Sequence, residues 1–226
     1  MQNLLNLLGI WIATLSLLGN IAQWAYHKYD RYFLFIQKII RTAHGQFIDY
    51  DFTGEYEGTV GIDIINTLDN HFRNRFNQYR KSVHNNTSLI ATFDGWQVKI
   101  YVEELTQANT CERCCVSLLH MNATHWNAKH LLKNAYSLLR DIQEKVGLEV
   151  RNYSLRVIFQ CGNPYMNSGV RGINPDRIKS MICVVTPLED TSDASITITP
   201  EHISIGSPTL DSVYQLAESI VSFQRI

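Results

Sequence analysis

No lysine, arginine, aspartate or glutamate occurs between Met1 and His27, and this run constrains the chain more than any other feature. Leu4 to Tyr26 is uncharged throughout and rich in Leu and Ile. A helix that crosses a bilayer needs about 20 such residues at a rise of 1.5 Å each. A cleaved signal peptide would want a positive start and a small-x-small cleavage site. Met1 to Leu5 carries no positive side chain, and the stretch from Ala22 to Tyr26 is a poor site. The expectation is a retained, single-pass transmembrane helix.

The flanks give that helix a direction. Lys28, Arg31, Lys38 and Arg41 stand against one acid, Asp30. The positive-inside rule puts this side in the cytoplasm, with Trp24, Tyr26, Tyr29 and Tyr32 at the interface. The expected location is a cell inner membrane, with the N-terminus outside and the C-terminal domain cytoplasmic. Asn6, Gly9, Ala13, Ser16, Asn20 and Gln23 follow one another at helical spacing and form one small, polar stripe. Helices in lipid associate through small side chains and hydrogen-bonding amides. The stripe therefore points to self-association into a homo-oligomer, and in a sharper form to lining a pore. A parallel apolar stripe continues through Tyr29, Phe33, Ile36 and Ile40, which predicts one continuous helix to about Arg41.

Residues 45–226 read as one cytosolic α+β sensor or interaction domain. It joins the transmembrane and basic juxtamembrane helix, residues 1–44, at Gly45, which stops the helix. A formal charge of -1 for the whole chain argues against general nucleic-acid binding, which needs a basic field. A composition 45% hydrophobic and 18% charged excludes a disordered chain. Strands are predicted over 46–56, 89–93, 96–103, 114–121, 149–160, 180–186, 195–199 and 202–205. Helices are predicted over 60–83, 125–146 and 209–223. Asp94-Gly95 marks a tight hairpin, so its strands are antiparallel. Runs of strands between about three helices indicate an antiparallel α+β sheet domain rather than a doubly wound one. A weak duplication of the helix-plus-strands unit is suggested, but the two halves cannot be aligned by residue.

Candidate chemistry is sparse. Cys111, Cys114 and Cys115 with His120 are the weak metal candidates, but zinc wants four converging ligands and no second Cys-x-x-Cys exists. His125 and His130 are five apart and splay on a helix. The favoured reading is no metal, no cofactor, and reduced thiols in a cytosolic domain. The long loop from Cys161 to Lys179 offers Asn163, Arg171, Asn174, Arg177 and Lys179 to an anionic ligand such as a nucleotide. It has no Walker or dinucleotide spacing. Asp49, Asp51, Glu55 and Glu57 alternate along a strand, where an edge position would make them guards against aggregation. No nucleophile sits in an elbow motif, so a non-enzymatic role is favoured and no catalytic residue is assigned.

The layout of an apolar helix from Leu4 to Tyr26, a basic flank and a compact domain resembles the short membrane-anchored effectors of prokaryotic antiviral systems. These are the effectors of retrons, cyclic-oligonucleotide signalling and type III CRISPR. The resemblance covers layout and no motif. It implies a domain that senses a ligand or is held by a regulatory protein, and membrane helices that damage the membrane on release. Such effectors commonly have two or more spans, and this chain shows one. The alternatives are a membrane-tethered enzyme at the cytoplasmic leaflet and a structural adaptor of a membrane complex.

Overall fold

The computed structural model describes residues 16–21, 24, 29–58, 63–104, 111–165, 183–185 and 194–222. Helix α1 spans Asp30–Ala43 and leads into strand β1, Phe47–Glu57. Helix α2 is Ile64–Arg75, and β2 to β5 follow as Arg80–His84, Ser88–Phe93, Trp96–Glu104 and Cys111–Thr124. Helix α3, Ala128–Val146, precedes β6, Glu149–Phe159. Then come β7 (Cys183–Val185), β8 (Ser195–Ile198), β9 (His202–Ser207) and α4 (Leu210–Val221).

All nine described strands form one sheet in the order β2-β3-β4-β5-β1-β6-β9-β8-β7, and every pair is antiparallel. The order exposes an internal duplication. In each half the first strand lies beside the last strand of an antiparallel meander, four-stranded in the first half and three-stranded in the second, and a helix follows. The first half runs β1, α2, then β2-β3-β4-β5, then α3; the second runs β6, then β7-β8-β9, then α4. β1 and β6 pair antiparallel where the two halves meet, with Thr53 opposite Ser154.

The helices pack on one face. Along β1, Ile48, Tyr50, Phe52 and Tyr56 alternate with polar residues and are fully buried, as a half-buried strand requires. They meet Leu68 and Phe72 of α2, Leu132, Leu139 and Ile142 of α3, and Val213 and Ala217 of α4 in one core. Asp94 (φ 49°) and Gly95 (φ 81°) make the tight turn between β3 and β4. Gly147 (φ 65°) ends α3 in the left-handed conformation and accounts for the stop signal there.

The fold corrects several expectations. Among the described residues no helix is long and apolar enough to cross a membrane. Residues 16–21 are helical, but Tyr29 is extended (φ -114°, ψ 115°), so no continuous helix runs to Arg41. α1 is a separate 14-residue amphipathic helix that buries Phe33, Leu34 and Arg41 against the domain. The remainder of the expected span, 4–15, 22, 23, 25 and 26, lies outside the described residues, and the sheet dominates the architecture.

Within the domain, the helix expected over 60–83 stops at Arg75, and 80–84 is the edge strand β2. Phe76 leaves the helix in an extended conformation (φ -117°) to stack on Phe93, ring centroids 3.9 Å apart. A local helical period cannot anticipate that distant partner. β1 is a central strand between β5 and β6, so its acids do not guard an edge.

Candidate functional site

Alternation along each strand sends every second side chain to the face away from the helices. On β1 these are Asp49, Asp51, Thr53 and Glu55, all partly exposed. β5 adds Cys115, Ser117 and the exposed Asn122; β4 adds Gln97 and the exposed Lys99, Tyr101 and Glu103. β6 contributes Asn152, Ser154 and the exposed Arg156, and β9 contributes His202 and Ser204. Among the described residues no helix packs on this face. It is a broad, mostly polar, mixed-charge surface centred on β1 and β6, with Ile90, Leu119 and Ile158 half-buried among its polar groups.

Its side chains are tied together. Thr53 Oγ1 donates to Ser117 Oγ at 3.0 Å. Asn122 Nδ2 donates to Asp49 Oδ1 at 2.8 Å, and the backbone N–H of His120 donates to Asp51 Oδ1 at 3.2 Å. His120 adopts φ 57° at the bulge where β5 slips register against β1. Arg156 stands opposite Asp51 across the β1–β6 pair. Arg113 and Glu103 are 3.7 Å apart, and Arg151 and Glu57 are 4.0 Å apart, at the margin. Acids and bases are interspersed, which suits hydrogen bonding and ion pairing with a protein surface better than a run of phosphates.

The cysteine and histidine candidates diverge. Cys114 is buried on the helix face, whereas Cys115 is partly exposed on the open face. Burial pushes the Cys115 thiol up, partly offset by its contact with Ser117. His120 is exposed, and His130 lies on α3 with Asn134 Nδ2 3.3 Å from its Nε2. His125 is buried, and burial followed by the charges of Arg41 and Lys38 lowers its pKa to about 4. Among the described residues no group of three His, Cys, Asp or Glu side chains is placed to hold a metal. For Cys111 only its place at the start of β5 is described.

Of the loop candidates, Asn163 has a structural role. It is buried, and its Nδ2 donates to the Thr199 carbonyl at 2.8 Å while its Oδ1 accepts from the Tyr165 N–H at 3.0 Å. It fastens the chain after β6 to the β8–β9 turn rather than facing a ligand. Arg171, Asn174, Arg177 and Lys179 lie outside the described residues, as do Asn6, Gly9, Ala13 and Gln23 of the stripe. Ser16 and Asn20 lie on the short helical stretch and are exposed.

Two features escape a reading of the sequence. Asp69 of α2 is buried and accepts from Tyr79 Oη at 2.6 Å, Lys81 Nζ at 3.0 Å and Arg73 Nη2 at 3.2 Å. Burial works to raise its pKa, but the hydrogen bonds from Tyr79 and Lys81, with the charges of Lys81 and Arg73, hold it below the usual value. This carboxylate fixes edge strand β2 to α2. The second feature is an apolar outer side on α1. Its signal, alternate apolar and basic positions over 30–43, is legible, but which side faces the domain is not. A search of protein-family models finds no match to this chain, and no curated protein matches it.

Proposed function

We propose that the chain is a non-enzymatic recognition protein that works at a lipid surface. Its sheet domain binds a protein partner and thereby controls association of the apolar N-terminal segments of several copies. The observation that carries the recognition half is a sheet of nine described strands, with the described helices packed on one face and mostly polar side chains on the other. Edge-to-edge strands hold these groups rigidly, and a preformed surface loses little entropy on binding. The lipid half rests on the uncharged run from Met1 to His27 and on Leu17, Leu18, Ile21 and Trp24, each more than half exposed. Apolar surface of that extent needs a partner. The layout shared with antiviral effectors supports a role in which release of the partner harms the membrane.

Expression of the full chain in bacterial cells, followed by flotation of membranes and a membrane-potential dye, tests this. The chain should float with the membranes and depolarise the cells. Thr53→Arg with Ser117→Arg, which crowds the open face, should leave folding and flotation intact while changing depolarisation. A chain that stays with soluble protein and leaves the potential unchanged overturns the lipid half. A double variant indistinguishable from the parent overturns the role of the open face.

A further inference from the structure

The outward side of α1 is apolar where a solvated helix should be polar. Its inner side buries Phe33 and Leu34 in the core, whereas Phe35, Ile39 and Ile40 are 56%, 49% and 42% exposed. Next to them Trp126, in the turn before α3, is 80% exposed. Phe35, Lys38, Ile39, Thr42, Ala43 and Trp126 line a single groove of about 430 Å³. Two sequence-distant elements thus present one continuous apolar patch, which solvated surfaces rarely carry by accident.

Three observations identify what covers it. The patch lies on the first helix after the uncharged run, and Trp24 and Tyr29 at the junction are themselves half exposed and pack edge to face, centroids 5.7 Å apart. Exposed Trp and Tyr at such a junction match the interfacial layer of a bilayer, where an indole keeps its ring in apolar surroundings and its N–H in water. Of the four bases in the segment 28–44, Arg41 is buried against the domain, whereas Lys38 sits in the groove wall. A second copy would set this positive charge against itself, whereas an anionic lipid surface complements it. We infer that the α1–Trp126 face lies flat on an anionic lipid headgroup surface, with Phe35, Ile39 and Trp126 dipping into it and Lys38 on the phosphates. This rests on the lipid-surface reading above and adds the part of the domain that touches lipid.

The test uses the full chain with Trp11, Trp24 and Trp96 replaced by Phe, so that Trp126 is the sole tryptophan. Vesicles of phosphatidylcholine with phosphatidylglycerol are added, and flotation is scored beside fluorescence. Trp126 emission should move to shorter wavelength and be quenched by lipids labelled near the headgroup. Phe35→Ser with Ile39→Ser should lower vesicle affinity about tenfold at unchanged circular dichroism. Lys38→Glu should lower it by about fivefold or more, less so at high salt.

A chain that floats while Trp126 stays in water overturns the inference and leaves the lipid-surface reading standing. A chain that does not float overturns both. A spectral shift that needs no vesicles and grows with protein concentration assigns the face to a second copy and overturns the inference.

Discussion

Replacing Asp69 by Asn should cost about 2 kcal/mol at neutral pH, and the cost should vanish in acid. Asn keeps the shape and still accepts from Tyr79, so that bond weakens from charge-assisted to neutral, a loss of about 1 kcal/mol. Lys81, 3.0 Å away and one-third exposed, loses an ion pair worth at most about 1 kcal/mol. Arg73 is more than half exposed, so it adds a few tenths at roughly the surface-pair value. For a chain of this size the total corresponds to a fall in Tm of roughly 4–8 °C. Since folding holds the Asp69 carboxyl below its ordinary value of 3.8, its contribution is complete above that value. The contribution disappears as the pH falls through the folded-state pKa. Urea unfolding of the full chain in mild detergent, followed by Trp fluorescence from neutral pH downward, measures the difference. A loss under about 0.5 kcal/mol at neutral pH, or a loss constant across the acid range, refutes the assignment of Asp69 as a charged tie.

Gly54→Ala should destabilise the domain by about 2 kcal/mol in the same assay, because a Cβ there would meet Tyr56 Oη at 2.6 Å and Tyr153 Cε1 at 3.1 Å. His125, with a folded pKa of about 4, binds its proton more weakly folded than unfolded. Stability should therefore fall as the pH drops from about 6.5 to 4, on the order of 3 kcal/mol in all. That slope should flatten in His125→Leu, and NMR titration should show the ring neutral at pH 5. Among Cys114, Cys115 and Cys161, peptide mapping after brief alkylation should find Cys161 modified first, since it alone is exposed and burial raises the Cys115 thiol. Asn163→Ala should loosen the β8–β9 turn and increase proteolysis near Pro200 without altering vesicle binding, as its bonds go to Thr199 and Tyr165.

Locally encoded elements are legible in the chain. Asp94-Gly95 and Gly147 demand positive φ, and they end or turn their elements where their chemistry predicts. The periods of α3 and β1 likewise show which of their residues are buried. The second half of the helix expected over 60–83 fails because Phe93 and Asp69 draw 76–84 out of it. Those contacts outweigh a helical preference of a few tenths of a kcal/mol per residue. The continuous N-terminal helix fails at Tyr29 in the same way, since a periodic stripe says nothing about a break in the backbone.

The candidate surface shows the division most clearly. The alternation of Asp49, Asp51 and Glu55 is visible along the chain, and it guarantees that the three acids share one face of a strand. Whether that strand lies at the edge or the centre is not visible, because strand order is set by pairings between residues as distant as Asp49 and Ile158. The amino-acid order alone determined the Asp94-Gly95 turn, the helix stops at Gly45 and Gly147, the buried alternation and the charge-free beginning, all of which follow from the chemistry of near neighbours. Only the tertiary structure decided that two meanders join through β1 and β6, that the described helices all pack on one face, and that Trp126 stands beside α1. Those outcomes depend on contacts whose free energy no single segment contains.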